Sequence, residues 1–222
     1  MTSEDLFFTL DSTVGFDWAK NPFWWPGFGT VEIIPSAVLA QNTKFENVLK
    51  SLSNLKSAGA DSLEMISNLN IEALAALVKP SGFQNVKAKR LQGLCKAILG
   101  DFGDFETFKQ SVSREWLANQ KGVGCETCDA ILCYGCEREI MVCDRYTARL
   151  LAYLGYEFES YDETREWLEG IAREAVWAKY PGMSENEMFA RYHGLIVEFC
   201  KAHLRKGGEF DEAGREILSN LK

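Results

Sequence analysis

Apolar residues return at every third or fourth position along most of this chain, and no stretch alternates apolar with polar in the manner of a strand. In 45–57, Val48, Leu49, Leu52 and Leu55 fall on one face at helical spacing. Residues 86–99 place Val86, Leu91, Leu94 and Ile98 on an apolar side, with Lys87, Lys89 and Arg90 expected to turn outward. Asn70 stands where an N-cap belongs, ahead of a helix over 71–78. Ser160-x-x-Glu163 and Ser184-x-x-Glu187 are capping-box patterns opening two later helices, and Asp211 caps a last one over 212–221. Pro80-Ser81-Gly82 and Gly207-Gly208 mark loops. With no repeat and no low-complexity tract, the pattern predicts an all-α fold.

One interruption carries chemistry. A helix over Arg114–Gln120 runs into Lys121-Gly122-Val123-Gly124, and a second helix follows from Glu126 through Leu132. Glycines at 122 and 124 permit backbone angles closed to other residues. They also leave amide N–H groups uncovered at the start of the second helix, where unpaired donors and the helix dipole favour a phosphate. Such a turn also serves as plain connectivity between two helices. Twenty residues beyond Gly124, Asp144 stands at the start of a helix over 145–155. There a carboxylate caps the helix, and a carboxylate fixed in this way is also positioned for catalysis.

Composition narrows the setting. At 222 residues, 46% hydrophobic and 12% aromatic, the chain has ample material for one sizeable domain or two small ones. Its net charge of −8 argues against a general nucleic-acid clamp, but the charge is unevenly placed. Residues 84–100 hold four basic and no acidic side chains, whereas 157–174 hold seven acids against two bases. No run of 18 apolar residues exists, so no membrane span is expected. The N-terminus lacks the pattern of a secretory signal, and seven cysteines fit free thiols in a reducing, bacterial-type cytoplasm. Cys125-x2-Cys128-x4-Cys133-x2-Cys136 has the count of a metal site. On a continuous helix these residues span about 16 Å, too far for one ion to be reached from both ends, so packing is the expected role and no metal is assigned.

The hairpin, the apolar helix after it and the distance to Asp144 resemble the helix-hairpin-helix DNA glycosylases of the endonuclease III superfamily. The combination of Trp24-Trp25-Pro26, QNTKFE from Gln41, PSGF ending at Phe83, REWL-x-x-QKGVG, DAILCY and RYHG-x-IVEF resembles the 3-methyladenine DNA glycosylase III branch, across about residues 22–204. This resemblance implies two helical lobes, a barrel of roughly 32–139 with the helix-hairpin-helix at about 113–136, and a second lobe of 1–31 with 140–222. It implies an active-site cleft between lobes and no iron–sulfur cluster, since only Cys200 follows Cys143 where four cysteines would be needed.

The implied activity is removal of alkylated purines, 3-methyladenine first, from damaged double-stranded DNA during base excision repair, by a monomer without cofactor. Asp144 is the implied catalytic residue. Trp24, Trp25, Pro26 and Phe45 are the implied walls of the base pocket, with Glu126 at its rim; taken alone, Trp24, Trp25 and Pro26 read first as core. Gln41 is expected to reach the orphaned base or to stand solvated at a helix start. Phe83 wedges into the base stack or packs in its turn. Lys87, Lys89, Lys121 and the amides of Gly122, Val123 and Gly124 are the implied DNA contacts. In bifunctional relatives a lysine occupies the position of Glu126; a carboxylate forms no Schiff base, so strand cleavage is not expected. A lyase acting on oxidised pyrimidines and a non-catalytic DNA-binding module are the competing readings. His193 and His203, the two histidines, are read as packed or surface residues with no catalytic role, and Leu195 replaces a lysine associated with the branch.

Overall fold

The computed structural model describes residues 1–221 and divides into two compact units, Met1–Pro26 with the chain from Glu139 onward, and Gly27–Arg138. The first unit opens with α1 (Ser3–Thr13). The second contains α2 (Ile33–Ala40), α3 (Phe45–Ser57), α4 (Leu63–Asn68), α5 (Ile71–Leu77), α6 (Gln84–Phe102), α7 (Phe105–Ser111), α8 (Arg114–Ala118) and α9 (Cys125–Ala130). The chain then returns to the first unit for α10 (Arg145–Tyr153), α11 (Tyr161–Glu169), α12 (Arg173–Lys179), α13 (Glu185–His203) and α14 (Glu212–Ser219). Among the described residues there is no β-strand, only an isolated bridge between Leu204 and Phe210, so the fold is all-α. No helix among them is long and apolar enough to cross a membrane.

Side-chain caps set many of the helix starts. Asn70 accepts from the amides of Glu72 and Ala73, as its sequence context predicts. Ser160 and Ser184 cap α11 and α13 through the amides of Glu163 and Glu187. The returning carboxylate of Glu163 bonds the amide of Glu159, one residue before the position a capping box requires. Asp211 caps α14 by accepting from Gly214 N–H at 2.8 Å.

The first unit is built around α13, whose Met188, Phe189, Tyr192, Leu195, Ile196 and Phe199 are buried against α1, α10 and α14. Full burial of side chains of this size contributes about 1.5–3 kcal/mol each in transfer free energy. Tyr192 donates its hydroxyl proton to Ser3 O at 2.8 Å, and Ser3 Oγ donates to Leu168 O, so α1 is stitched to α13 and to the end of α11.

In the second unit, α4 and α5 pack on α6, and α2 packs on α3 and α6. The inward face of α6 is Lys87, Ala88, Leu91, Leu94, Cys95 and Ile98. This corrects two expectations. Val86 is 47% exposed and Lys87 2% exposed, so the apolar residue faces out and its charged neighbour faces in. On α3, Leu49 likewise turns to solvent at 45% exposure while Val48, Leu52 and Leu55 are buried. Lys87, expected to contact phosphate, instead donates to Leu39 O at 2.8 Å, Thr43 Oγ1 at 2.5 Å and Ser81 O at 2.8 Å. Its three protons are directed at three oxygens of the protein, and the ammonium is not available to a ligand.

The α8–α9 pair is joined by an ion pair. Asp129, fully buried, receives Arg114 Nε at 2.7 Å and Nη2 at 3.1 Å in a two-pronged contact. Cys128 Sγ adds a weak bond to Arg114 O. Asp129→Ala should cost about 2 kcal/mol in urea unfolding. This is below the 3–5 kcal/mol of a wholly buried pair, because the Arg114 side chain, 32% exposed, rehydrates.

Burial, with the nearby charge of Arg90, lowers the pKa of Lys87 from 10.5 to about 8. Between those values the native state binds fewer protons than the unfolded chain, so the contribution of Lys87 makes stability rise with pH. Urea midpoints of wild type and Lys87→Met should therefore diverge further at pH 10 than at pH 7.5, with wild type gaining.

Candidate functional site

Within the second unit, the turn between α8 and α9 presents Lys121, Gly122, Val123 and Gly124. Ser113 Oγ starts α8 by accepting from Trp116 N–H at 3.1 Å. Gly122 has φ 84°, and a Cβ there would lie 2.4 Å from Arg90 Nε, so both conformation and space exclude a side chain. Val123 points inward at 8% exposure and anchors the turn. Gly124 is the N-cap of α9 and supplies no side chain to cap its first turn. Lys121, Gly124, Cys125 and Glu126 are all exposed at this tip.

Gln41 braces the turn from below. Its Nε2 donates to Gly122 O at 2.9 Å and to Thr127 Oγ1 at 3.0 Å, while its Oε1 accepts from Arg90 Nη1 at 2.9 Å. Both amide protons and the carbonyl are thus engaged within the protein. This corrects the expectation that Gln41 stands ready for an orphaned base.

Beside the turn lies a groove of about 510 Å³ lined by Lys89, Arg90, Gln120 and Lys121 over Val86 and Leu94. No acid lines it, so a phosphodiester entering it meets only positive and neutral groups. Phe83 is 72% exposed at the N-terminus of α6 and has φ 47°. A large apolar side chain held in solvent on a left-handed backbone is unfavourable on both counts. Phe45, half-buried, is the first residue of α3.

Cys125 is exposed, whereas Cys128, Cys133 and Cys136 are buried, and burial pushes the thiols of Cys128 and Cys136 up to about 12. Among the described residues no group of three or more His, Cys, Asp or Glu converges as a metal site. Cys200, the one cysteine after Cys143 in this sequence, is buried in α13.

In the first unit, Asp144 ends the buried segment Ile140–Cys143 and caps α10. Side chains of α11 hold the segment in place: Glu169 Oε1 accepts from Met141 N–H at 2.9 Å and Tyr161 OH from Cys143 N–H at 3.2 Å. Asp144 Oδ1 accepts from Thr147 N–H at 2.8 Å and from Thr147 Oγ1 at 3.1 Å. Thr147 Oγ1 in turn accepts from Asp144 N–H at 3.2 Å, closing a capping box. The other oxygen, Oδ2, faces His193 Nε2 at 3.9 Å. Burial raises the pKa of this carboxyl; the His193 imidazole and the Thr147 bonds outweigh that and hold it below the usual carboxylate range. The Asp144 side chain is 16% exposed, so an ionised oxygen is reachable from outside.

Trp24 packs edge-to-face on Trp25 at 5.9 Å and on His193 at 5.2 Å. Its Nε1 donates to Glu198 Oε1 at 3.0 Å. A Cβ at position 194 would lie 2.6 Å from Trp24 Cγ, so glycine in α13 is what lets the indole lie against the helix. Trp25 is buried and Pro26 exposed. Trp24, Trp25, Pro26 and Asp144 therefore belong to one unit, while Phe45, Glu126 and the hairpin belong to the other. Sequence reasoning missed His193, which is 3% exposed, because no local pattern links positions 144 and 193.

Residues 36–174 match the family described as HhH-GPD superfamily base excision DNA repair protein. A "putative DNA repair glycosylase" of Methanocaldococcus jannaschii is 37% identical over 199 residues, spanning 86% of this chain and 85% of its own length. The crystal structure of the H. pylori 3-methyladenine DNA glycosylase bound to 1,N6-ethenoadenine is similar with a TM-score of 0.85 and 46% identity, over 91% of this chain and 98% of that one. A trapped endonuclease III–DNA covalent intermediate shares the fold, with a TM-score of 0.70 at 15% identity over the whole of both chains. A family match over more than half the chain, together with relatives of this identity and coverage, establishes that the protein belongs to the HhH-GPD superfamily of base excision DNA repair proteins.

Proposed function

We propose that this protein is a monofunctional DNA glycosylase that removes alkylated purines, 3-methyladenine first, from duplex DNA. The observation that carries the reading is Asp144, a carboxylate held through Oδ1 by Thr147 with a side chain 16% exposed. The 46% identity to a 3-methyladenine DNA glycosylase over nearly the whole chain supports the substrate class.

The chemistry follows from the charge on the damaged base. A purine alkylated at N3 or N7 is already cationic, so it leaves as a neutral molecule and needs no general acid. The electron-rich ring of Trp24 attracts that cation. As the glycosidic bond breaks, its electron pair goes to the base and positive charge grows on the sugar. Asp144 stabilises that charge and takes a proton from the water whose oxygen bonds the sugar carbon. Asp144 then holds the proton as a carboxylic acid until solvent removes it.

The remaining residues serve access to the base. The backbone of Gly122 and Gly124 and the side chains of Lys89 and Lys121 hold the phosphates; the Val123 amide, expected to join them, instead donates to Gln120 O at 3.1 Å. Phe83 enters the stack as the nucleotide turns out, offsetting part of the few kcal/mol that unstacking costs. Position 126 carries a carboxylate where an amine would be needed for covalent attack on the sugar, so strands stay intact.

Base release from methylated duplex DNA, with the freed bases separated by chromatography, tests the reading. Asparagine also caps helices, so Asp144→Asn should keep the fold and DNA binding while lowering base release by roughly 10²–10⁴-fold. Activity within tenfold of wild type would remove Asp144 from the mechanism. Borohydride should trap no protein–DNA adduct; an adduct would replace this reading with that of a lyase. Separately, Lys89→Ala and Lys121→Ala should each reduce the slope of log affinity against log salt by about 0.9, one phosphate contact apiece. Unchanged slopes would take DNA off this groove.

A further inference from the structure

We infer that His193 is the positioning residue for Asp144: its imidazole fixes the carboxylate oxygen that the helix cap leaves over, and Trp24 in turn fixes the imidazole. The inference rests on Asp144 being the reactive carboxylate.

The two oxygens of Asp144 are differently held. Both Thr147 bonds go to Oδ1. A carboxylate tied at one oxygen still pivots about that tie, and its second oxygen sweeps an arc. Misplacement of a reacting group by about 1 Å costs on the order of 10²-fold in rate. His193 Nε2 stands 3.9 Å from Oδ2, beyond hydrogen-bond length but directly facing it. It is the group that limits the arc.

The imidazole has little freedom of its own. His193 is 3% exposed in the middle of α13. Trp24 lies against it with ring planes 79° apart. Trp24 cannot retreat, because Glu198 holds its Nε1 and the bare Cα of Gly194 receives its ring. Contact therefore runs from the aromatic wall through the imidazole to the carboxylate, all within one unit. An occupant pressing on Trp24 presses on the residue that orients Asp144.

The charges around the carboxylate leave this task to His193. Cys200, also on α13, is kept neutral by burial and by the charge of Asp144 itself. Arg145 and Arg149 on α10 are exposed, where water screens them. On α11, Tyr161 and Glu169 bond the amides of Cys143 and Met141. His193 does not touch the reacting atoms and moves no proton in the reaction, since the departing base needs none; it acts through Asp144.

The test compares wild type, His193→Gln and His193→Ala on methylated duplex DNA under single-turnover conditions across the acid limb of the pH profile. His193→Ala should lower base release at pH 7 by about tenfold and move the acid limb upward by about one unit, as expected for a carboxyl that has lost its stabilising partner. Glutamine keeps an N–H of similar reach, so it should recover most of the rate at pH 7, with an acid limb between the other two. DNA affinity should stay within about twofold in both variants, since neither loses a phosphate contact. Titration of the Asp144 carboxyl by carbon-13 NMR gives a readout independent of catalysis, and its midpoint should rise in both variants. An acid limb and an Asp144 midpoint unchanged in both variants would overturn the inference, as would equal loss of rate in both without any shift. If alanine does not fold, the glutamine arm decides by the same titration. If wild type releases no base, the glycosylase reading falls, while the Asp144 midpoint still decides whether His193 holds that carboxylate.

Discussion

A buried charge must find partners of the protein's own, and in the second unit that requirement organises the whole presenting surface. The Lys87 ammonium, removed from water, draws the end of α2, the segment leading into α3 and the loop before α6 onto one point through Leu39, Thr43 and Ser81. The loop so fixed is the one that exposes Phe83. One turn further along α6, Arg90 repeats the principle with less burial. It grips Gln41, which grips the backbone of Gly122, and a side chain at 122 would collide with the arginine. The buried carboxylate of Asp129 closes the set by tying α9 to α8. Lys121 and Gly124 are displayed to solvent above polar groups that are already satisfied.

The first unit applies the same rule to a carboxylate and leaves it incomplete. Asp144 has one oxygen saturated by the cap and the other facing an imidazole at a distance too long for a full bond. Burial raises the pKa of this carboxyl, and its partners outweigh that and hold it below the usual carboxylate range. Another buried carboxylate of the unit is more fully bonded. Asp11 is almost wholly buried and bonded by Arg191, Lys179 and Tyr180, and its carboxyl is held below the usual range against its burial. The contrast is between a carboxylate bonded by three side chains and one bonded by Thr147 alone.

Much of the site was legible because its signals are local. The N-caps at Asn70, Ser160, Ser184 and Asp211 depend on a few neighbouring residues, and the helices begin where they predict. The hairpin was legible because glycine at 122 answers a backbone requirement that sequence displays directly. The misreadings have one cause. Periodicity assigns a face from hydrophobicity, so Val86 and Leu49 were placed inside and Lys87 outside. In the fold, three oxygens converge where α6 passes, and an ammonium stabilises that place more than a valine would.

The sequence by itself determined the helical class, the glycine turn, the carboxylate at the start of α10 and the absence of a lysine at position 126, since each is a property of adjacent residues and their backbone. Tertiary structure alone decided which polar side chains are engaged. Gln41 and Gly122 meet across 81 residues, and Asp144 and His193 across 49. No short-range pattern records such pairs, because a side chain's hydrogen-bonding capacity is taken up by whatever the packing brings within about 3 Å of it. That is why Gln41 and Lys87, read as free hands for DNA, prove to be braces, and why His193, read as packing, stands beside the carboxylate.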